Sequence, residues 1–423
     1  MRLALEKILK FMAKTILRRY RPKIVGITGS VGKTSTKEAV FNVLNSFFSV
    51  WKSHKNFNNE IGVPLSILGI KNNISWYNFP FIFFKWLVML LWWPYPSVLI
   101  LEMAVDRPND MDYLLKFISI DVGILTNISL SHIKFFKNQK QLIKEKYKLI
   151  NSVIKNQGCI IINIDDKLIR ENFNKIKEKN LNINEKLKEE KNIFTYGFSS
   201  EAKVRATDIH LDTDTENYKI NGISFKLNYQ NKIIPLRLKN IIATHQIYFV
   251  LAGISAGLSF KLNLMDIIKN IEKFSPPKRR MKLKKGIKNI YILDDSYNAS
   301  PISMLAGLET LQNLPSRRRV AILGDMLELG KISLQEHRKV IQKAMDLNID
   351  LIVLVGKKMR KSFENLPSSI VVLEWKKRVL FFDDVEKLED KIGEIIQSQD
   401  LVLIKGSHAI KLDKIVNLLA VDK

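Results

Sequence analysis

GITGSVGKTST, residues 26–36, is the stretch from which the fold is read. Apolar Ile24, Val25 and Ile27 lead into its glycines, and the helix formers Glu38, Ala39 and Val40 follow. That is the strand, glycine loop, helix order of a phosphate site. Small residues let backbone N–H groups converge on phosphate, and the helix N-terminus adds favourable dipole charge. Lys33 is placed to reach outer phosphates, and Thr34 to offer a hydroxyl to Mg²⁺. The pattern is the shorter Gly29-x-x-Gly32-Lys33-Thr34, because Ile27 stands where the longer form has its first glycine. On this stretch alone, a plain glycine-rich turn remains the alternative.

The chain has 423 residues, enough for two or three domains. Hydrophobic residues make up 46% and charged residues 26%, a globular balance. Lys and Arg number 68 against 42 Asp and Glu, a net charge of +26. Such a bias suits nucleic acid, an anionic membrane or an acidic ligand, or is compositional drift spread over ordinary surfaces. No block of Arg interleaved with aromatics is present, so a nucleic-acid partner is not expected. The single Cys159 lies in the apolar run GCIIIN and reads as core filler in a reducing, cytoplasmic setting. No secretory cleavage site follows the N-terminus.

Residues 1–22 carry apolar side chains at helical spacing with Lys and Arg between them. This basic amphipathic helix either lies on a membrane surface or packs its apolar face on the domain. Residues 76–93, WYNFPFIFFKWLVMLLWW, are aromatic and apolar around Lys85. The run is too short for a spanning helix of ~20 residues, and Trp at both ends suits an interfacial helix. A partner-binding or core-packed hairpin is the other reading. PSVLILEMAV, DVGILTNIS and GCIIINIDD read as buried strands, residues 138–157 as a helix, and residues 192–240 as several β-strands. Pro276 and Pro277 mark a boundary. Beyond it NIYILDDSYNA, RRVAILGD, IDLIVLVGK and DLVLIKGS alternate with helices, the pattern of a doubly wound parallel sheet. The expected fold is therefore α/β: a P-loop ATPase domain over residues 23–275, with an insertion at 72–95, and a Rossmann-like C-terminal domain over 276–423.

Glu102, Asn127, His132 and Lys146 stand where strands end or soon after. A carboxylate and hydroxyls beside a nucleotide suit Mg²⁺, and Glu102 is placed to supply the carboxylate. Taken singly, Glu102 reads as a helix-start or salt-bridge residue, His132 as a surface or core histidine and Lys146 as a solvated lysine.

Read together, GITGSVGKTSTKE, KNFNNEIGVPLSIL, LEMA, TNISLSH, KEKYKLI, LDDSYNASPISM, LGDMLELG and KGSHAIKLDKIV closely resemble the Mur ligases of peptidoglycan synthesis. NNEIGVP, DDSYNASP and GDMLELG point within that family to ligases adding D-alanyl-D-alanine to UDP-MurNAc-tripeptide. The resemblance implies ATP and Mg²⁺, an acyl-phosphate intermediate and a monomeric cytoplasmic enzyme. It assigns ATP phosphates to Gly29, Ser30, Gly32, Lys33, Thr34 and Ser35, and metal to Thr34, Glu102, His132 and Lys146, the last as a carbamate. It assigns further ATP contacts to His245, Arg280, Asp295 and Tyr297, with Arg280 near the γ-phosphate. It assigns substrate contacts to Asn56, Asn58, Asn59, Asn127, Lys405 and Ser407, and catalysis to Lys33, His132, Lys146 and Arg280.

Four departures stand out. Only about 22 residues precede the loop, fewer than the family's N-terminal UDP-sugar domain needs. Ala243-Thr-His245-Gln246-Ile-Tyr-Phe249 replaces Gly-x-His-Asn-x-x-Asn, which leaves adenine recognition open there. Ser300 and His408 replace an Asn and an Arg near expected ligand contacts. The insertion at 72–95 suggests docking at the inner face of the membrane. The alternatives are a related ligase with another carboxylate or amine, polyglutamate-like, and a basic membrane-associated nucleotide-binding protein without catalysis.

Overall fold

The computed structural model describes residues 2–54, 57–72, 79–129, 135–181, 192–367 and 373–421. Helix α1 (Arg2–Tyr20) leads into β1 (Lys23–Thr28), the glycine loop and α2 (Lys33–Leu44). Then follow β2 (Val50–Lys52), α3 (Gly62–Ile67), α4 (Phe79–Leu91), β3 (Val98–Glu102) and α5 (Asp110–Leu115). The alternation continues through β4 (Val122–Leu125), α6 (Gln139–Lys155), β5 (Cys159–Asn163), α7 (Lys167–Leu181) and β6 (Ile193–Gly197). Three long strands, β7 (Val204–Asp214), β8 (Lys219–Tyr229) and β9 (Lys232–Leu238), precede α8 (Ile247–Ser259) and α9 (Leu264–Ile271).

These strands form one nine-stranded sheet in the order β2-β3-β1-β4-β5-β6-β7-β8-β9. It is parallel from β2 to β7 and antiparallel over β7-β8-β9. Strands β3 and β4 are buried at every position, which is why they read as continuous apolar runs rather than alternating ones. One face packs on α1 and α3–α7, the other on α2, α8 and α9. The strand order reverses at β1, flanked by β3 and β4, and ligands gather outside the carboxyl ends at such a point.

The second sheet starts after the Pro276–Pro277 connection. It comprises β10 (Lys282–Lys285), β11 (Tyr291–Asp294), β12 (Arg318–Gly324), β13 (Leu351–Val355), β14 (Val379–Phe382) and β15 (Asp400–Lys405). Its order is β10-β11-β15-β12-β13-β14, parallel except for β10. Helices α10 (Pro301–Asn313), α11 (Ser333–Asp346), α12 (Lys357–Glu364) and α13 (Leu373–Arg378) belong to one face. Helices α14 (Val385–Glu389), α15 (Ile392–Ile395) and α16 (Asp413–Leu419) cover the other. The α/β class and the doubly wound sheet agree with the sequence expectation. Strands β2 and β14, three and four residues long, have too few positions for a periodicity to show.

The apolar face of the N-terminal helix packs on the domain. Leu9, Met12, Ala13, Ile16 and Leu17 are buried at i, i+3, i+4, i+7 and i+8 in the core that α3 and α4 share. Of the aromatic segment, residues 76–78 lie outside the described residues. The rest is α4, with Ile82 and Met89 buried and most other side chains facing solvent. Among the described residues no helix is long and apolar enough to cross a membrane.

Candidate functional site

The loop between β1 and α2 requires its glycines. Gly29 has φ +150°, and a Cβ there would lie 1.9 Å from Thr126 Oγ1. Gly32 has φ +85°, and its Cβ would meet the Phe249 ring at 2.6 Å. Asn127 pins the loop by accepting from Val31 N at Oδ1 (2.8 Å) and from Ser30 N at its carbonyl (2.9 Å). Gly32 supplies no side-chain cap to α2, so the first N–H groups of the helix keep their capacity for an anion. Lys33 folds back on the loop, donating to the carbonyls of Gly29 (2.8 Å) and Ser30 (3.2 Å). Burial lowers its pKa, against the pull of Glu102.

Glu102 ends β3 beside this loop. Its Oε2 accepts from Thr34 Oγ1 at 2.9 Å and its Oε1 from Asn58 Nδ2 at 3.2 Å. Behind it, buried Lys37 donates to the Ser53 carbonyl at 2.8 Å and stands 3.9 Å from Glu102 Oε2. Thr34 Oγ1 also accepts from Arg280 Nη2 at 3.0 Å. Two hard oxygen donors, a carboxylate and a hydroxyl, fit Mg²⁺, which keeps water and phosphate oxygens for its remaining positions. Among the described residues no cluster of three or more His, Cys, Asp or Glu could hold a metal by protein ligands alone.

Arg280 is presented by a strained turn. Arg279 and Met281 on either side have φ 64° and 51°, left-handed values that cost non-glycine residues about 1–3 kcal/mol each. Three bonds hold the turn. Tyr297 N donates to the Arg279 carbonyl (3.1 Å), Met281 N to Asp295 Oδ1 (3.0 Å), and Gln246 Nε2 to the Met281 carbonyl (3.0 Å). The guanidinium lies over the Tyr297 ring, 4.1 Å from its centroid. Buried Lys405 donates to Asp295 Oδ2 (2.6 Å) and the Asn298 carbonyl (2.9 Å).

The C-terminal ends of both sheets therefore face one cavity of about 500 Å³. Ser30, Gly32, Lys33, Thr34, Ser35, Asn58, Glu102, Asn127, His245, Arg280, Asp295, Tyr297 and Lys405 all line it. His245 stands edge-on to Phe249, and burial lowers its pKa to about 4. Asn59 and Ser407, two of the expected substrate contacts, do not line it. Asn59 caps α3, accepting from Gly62 N at 2.9 Å. Ser407 is buried, with its Oγ accepting from Leu327 N at 2.9 Å. Asn127 and Asp295 reach the wall, but their side-chain oxygens are engaged by the protein. Lys146 on α6 is buried, and that burial, with nearby Lys33, lowers its pKa to about 7. His132 and Asn56 lie outside the described residues.

Sequence reading missed Lys37 and the Asp165–Tyr248 pair. Lys37 had a signal: it follows Lys33 by four positions, hence on the same helix face. Gln246, where adenine recognition was left open, is buried at the cavity wall with its Oε1 accepting from Ile242 N and Ala243 N at 3.1 Å each. Asp165 lines the cavity and accepts from Tyr248 Oη at 2.9 Å, beside Phe198 and its ring contact with Tyr248.

The model of the Mur ligase middle domain matches residues 27–78 and 94–257, and that of the Mur ligase glutamate ligase domain residues 279–408. The chain belongs to the Mur ligase family. A UDP-N-acetylmuramoyl-tripeptide–D-alanyl-D-alanine ligase of Rickettsia prowazekii is 29% identical over 408 residues, 94% of this chain and 78% of that one. The Bacillus subtilis ligase of the same name is 26% identical over 409 residues, 96% and 78%. In fold, this Mur ligase resembles MurF from Acinetobacter baumannii, with TM-score 0.76 and 23% identity over 99% of this chain and 80% of that one. It also resembles Thermotoga maritima MurF in complex with ADP, with TM-score 0.74 and 22% identity over 98% and 83%. The middle-domain match breaks at residues 79–93, which hold α4 and the two tryptophans after it.

Proposed function

We propose that this Mur ligase uses ATP to join D-alanyl-D-alanine to UDP-MurNAc-tripeptide through a new amide bond. One observation carries the reading: Thr34 Oγ1 sits between the carboxylate of Glu102 and the guanidinium of Arg280, at the mouth of a phosphate loop. The names of the Rickettsia and Bacillus relatives support the two substrates.

A carboxylate is a poor electrophile, so its oxygen first attacks the γ-phosphorus of ATP and ADP departs. Lys33 and Arg280 stabilise charge on the transferring group. The amine of D-alanyl-D-alanine then attacks the acyl phosphate, losing its proton as phosphate leaves. Thr34 and Glu102 would hold Mg²⁺, with His132 and carbamylated Lys146 completing the set. The metal would neutralise phosphate charge. A neutral amine is what reacts with CO₂, and the lowered pKa of Lys146 favours that form. Residues 23–275 and 276–423 act as two units that close to exclude water, with 1–22 as an appended helix. The enzyme works as a cytoplasmic monomer.

The test is phosphate release from ATP with UDP-MurNAc-tripeptide, with and without D-alanyl-D-alanine. Release that needs both compounds and yields the pentapeptide is expected. Release indifferent to both would remove the assignment.

A further inference from the structure

We propose that α4, with α1 beside it, is a docking platform for an anionic lipid bilayer surface. Phe81, Phe83, Phe84, Leu87, Leu91, Trp92 and Trp93 are exposed, Trp92 by 86% and Phe81 and Phe84 by 66% and 65%. Positions 84, 87 and 91 follow one another along a single helix face. Lys85 does not interrupt it, because its ammonium turns inward to the Gly69 carbonyl at 2.7 Å. Phe11 of α1, 59% exposed, extends the face through its ring contact with Trp86. Contiguous apolar surface of this kind marks an interaction site.

The platform is rigid. Tyr20 Oη donates to the carbonyls of Met89 (2.5 Å) and Trp93 (2.8 Å), and Trp86 Nε1 to Thr15 Oγ1 (2.9 Å). The two helices thus run side by side in the same direction.

Charge selects the occupant. Exposed Lys7, Arg18, Arg19, Arg21 and Lys71 belong to α1 and the chain next to the two helices, α1 has Glu6 as its one acid, and α4 has none. An aromatic face with a basic rim is what an interfacial helix presents to anionic headgroups. The family match skips 79–93, so this surface lies outside the part shared with the middle-domain family.

The full chain is mixed with vesicles of phosphatidylcholine alone, or of phosphatidylcholine with phosphatidylglycerol, and sedimented. Binding to the anionic vesicles, weakening with salt, is expected. The Phe84→Ser/Trp92→Ser double variant should lower the partition coefficient about tenfold or more. Its ATP turnover in solution, unchanged, reports an intact fold. Equal binding by the double variant, or binding indifferent to lipid charge, would overturn the proposal. So would a dimer in velocity sedimentation that the variant abolishes while vesicle binding is absent. Vesicle binding is read without turnover, so it stands or falls independently of the ligase assignment.

Discussion

Arg280 Nη2 donates to Thr34 Oγ1 at 3.0 Å, joining side chains 246 positions apart, one on α2 beside the first sheet and the other in the turn that leads into the second. The phosphate loop alone can bind a nucleotide. In the proposed reaction the arginine adds a cation from the opposite wall, where charge would grow during phosphoryl transfer. Arg280→Ala should lower kcat by about 10²–10³-fold with little change in KM for ATP. Arg280→Lys should recover little, because the planar fork and its stacking on Tyr297 are lost. Steady-state phosphate release checks both, and full turnover by the lysine variant would show that a point charge suffices.

Lys37 stands behind the Thr34–Glu102 pair proposed to hold Mg²⁺. Removing its ammonium leaves the buried Glu102 carboxylate and the Ser53 carbonyl short of a partner. Lys37→Met should destabilise the fold by about 3 kcal/mol, measured by urea unfolding. It should also raise the Mg²⁺ concentration for half-maximal activity. An unchanged Mg²⁺ profile would leave Lys37 a packing residue only.

Lys146→Ala should reduce turnover at least about 10²-fold, and added formate or acetate should restore part of it by supplying a carboxylate where the carbamate stood. A variant as active as the parent would remove the carbamate from the mechanism.

His245 makes stability pH-dependent in a defined direction. Its pKa is about 4 in the fold and near the ordinary 6.5 when unfolded. Between these values the unfolded chain takes up a proton that the folded one refuses. Stability from this residue is therefore whole above pH 6.5 and lost as pH falls toward 4. Allowing for the water that reaches the cavity wall, the loss is about 1–2 kcal/mol. Between pH 7 and pH 5 the urea midpoint of the parent should fall further than that of His245→Asn, so the gap between them changes in the variant's favour at pH 5, and a gap that stays constant would remove His245 from the pH dependence.

Much of the site was legible because its chemistry is local in the chain. The loop from Gly29 to Ser35 is announced by its own glycines and lysine, although Asn127 is what pins it, and Glu102 is marked by the buried strand before it. Residue type alone does not say where a hydrogen bond goes. Asn59 and Ser407 have suitable polar groups, yet one caps a helix and the other holds the Leu327 turn. The turn that presents Arg280 was illegible for another reason. Its left-handed residues are Arg and Met rather than glycine, and Gln246, 35 positions away, helps keep it in place. Such strain is paid for by distant contacts, and no short pattern records it.

The inward turn of Lys85 has a colloidal consequence. With that ammonium on Gly69, α4 itself carries no charge on its outer side, and the basic rim beside it and the net charge of +26 are what keep two molecules apart. That repulsion reaches about 10 Å at 0.1 M salt and about 3 Å at 1 M. Concentrated salt, which keeps many basic proteins dispersed, therefore brings this one toward clumping through its aromatic face.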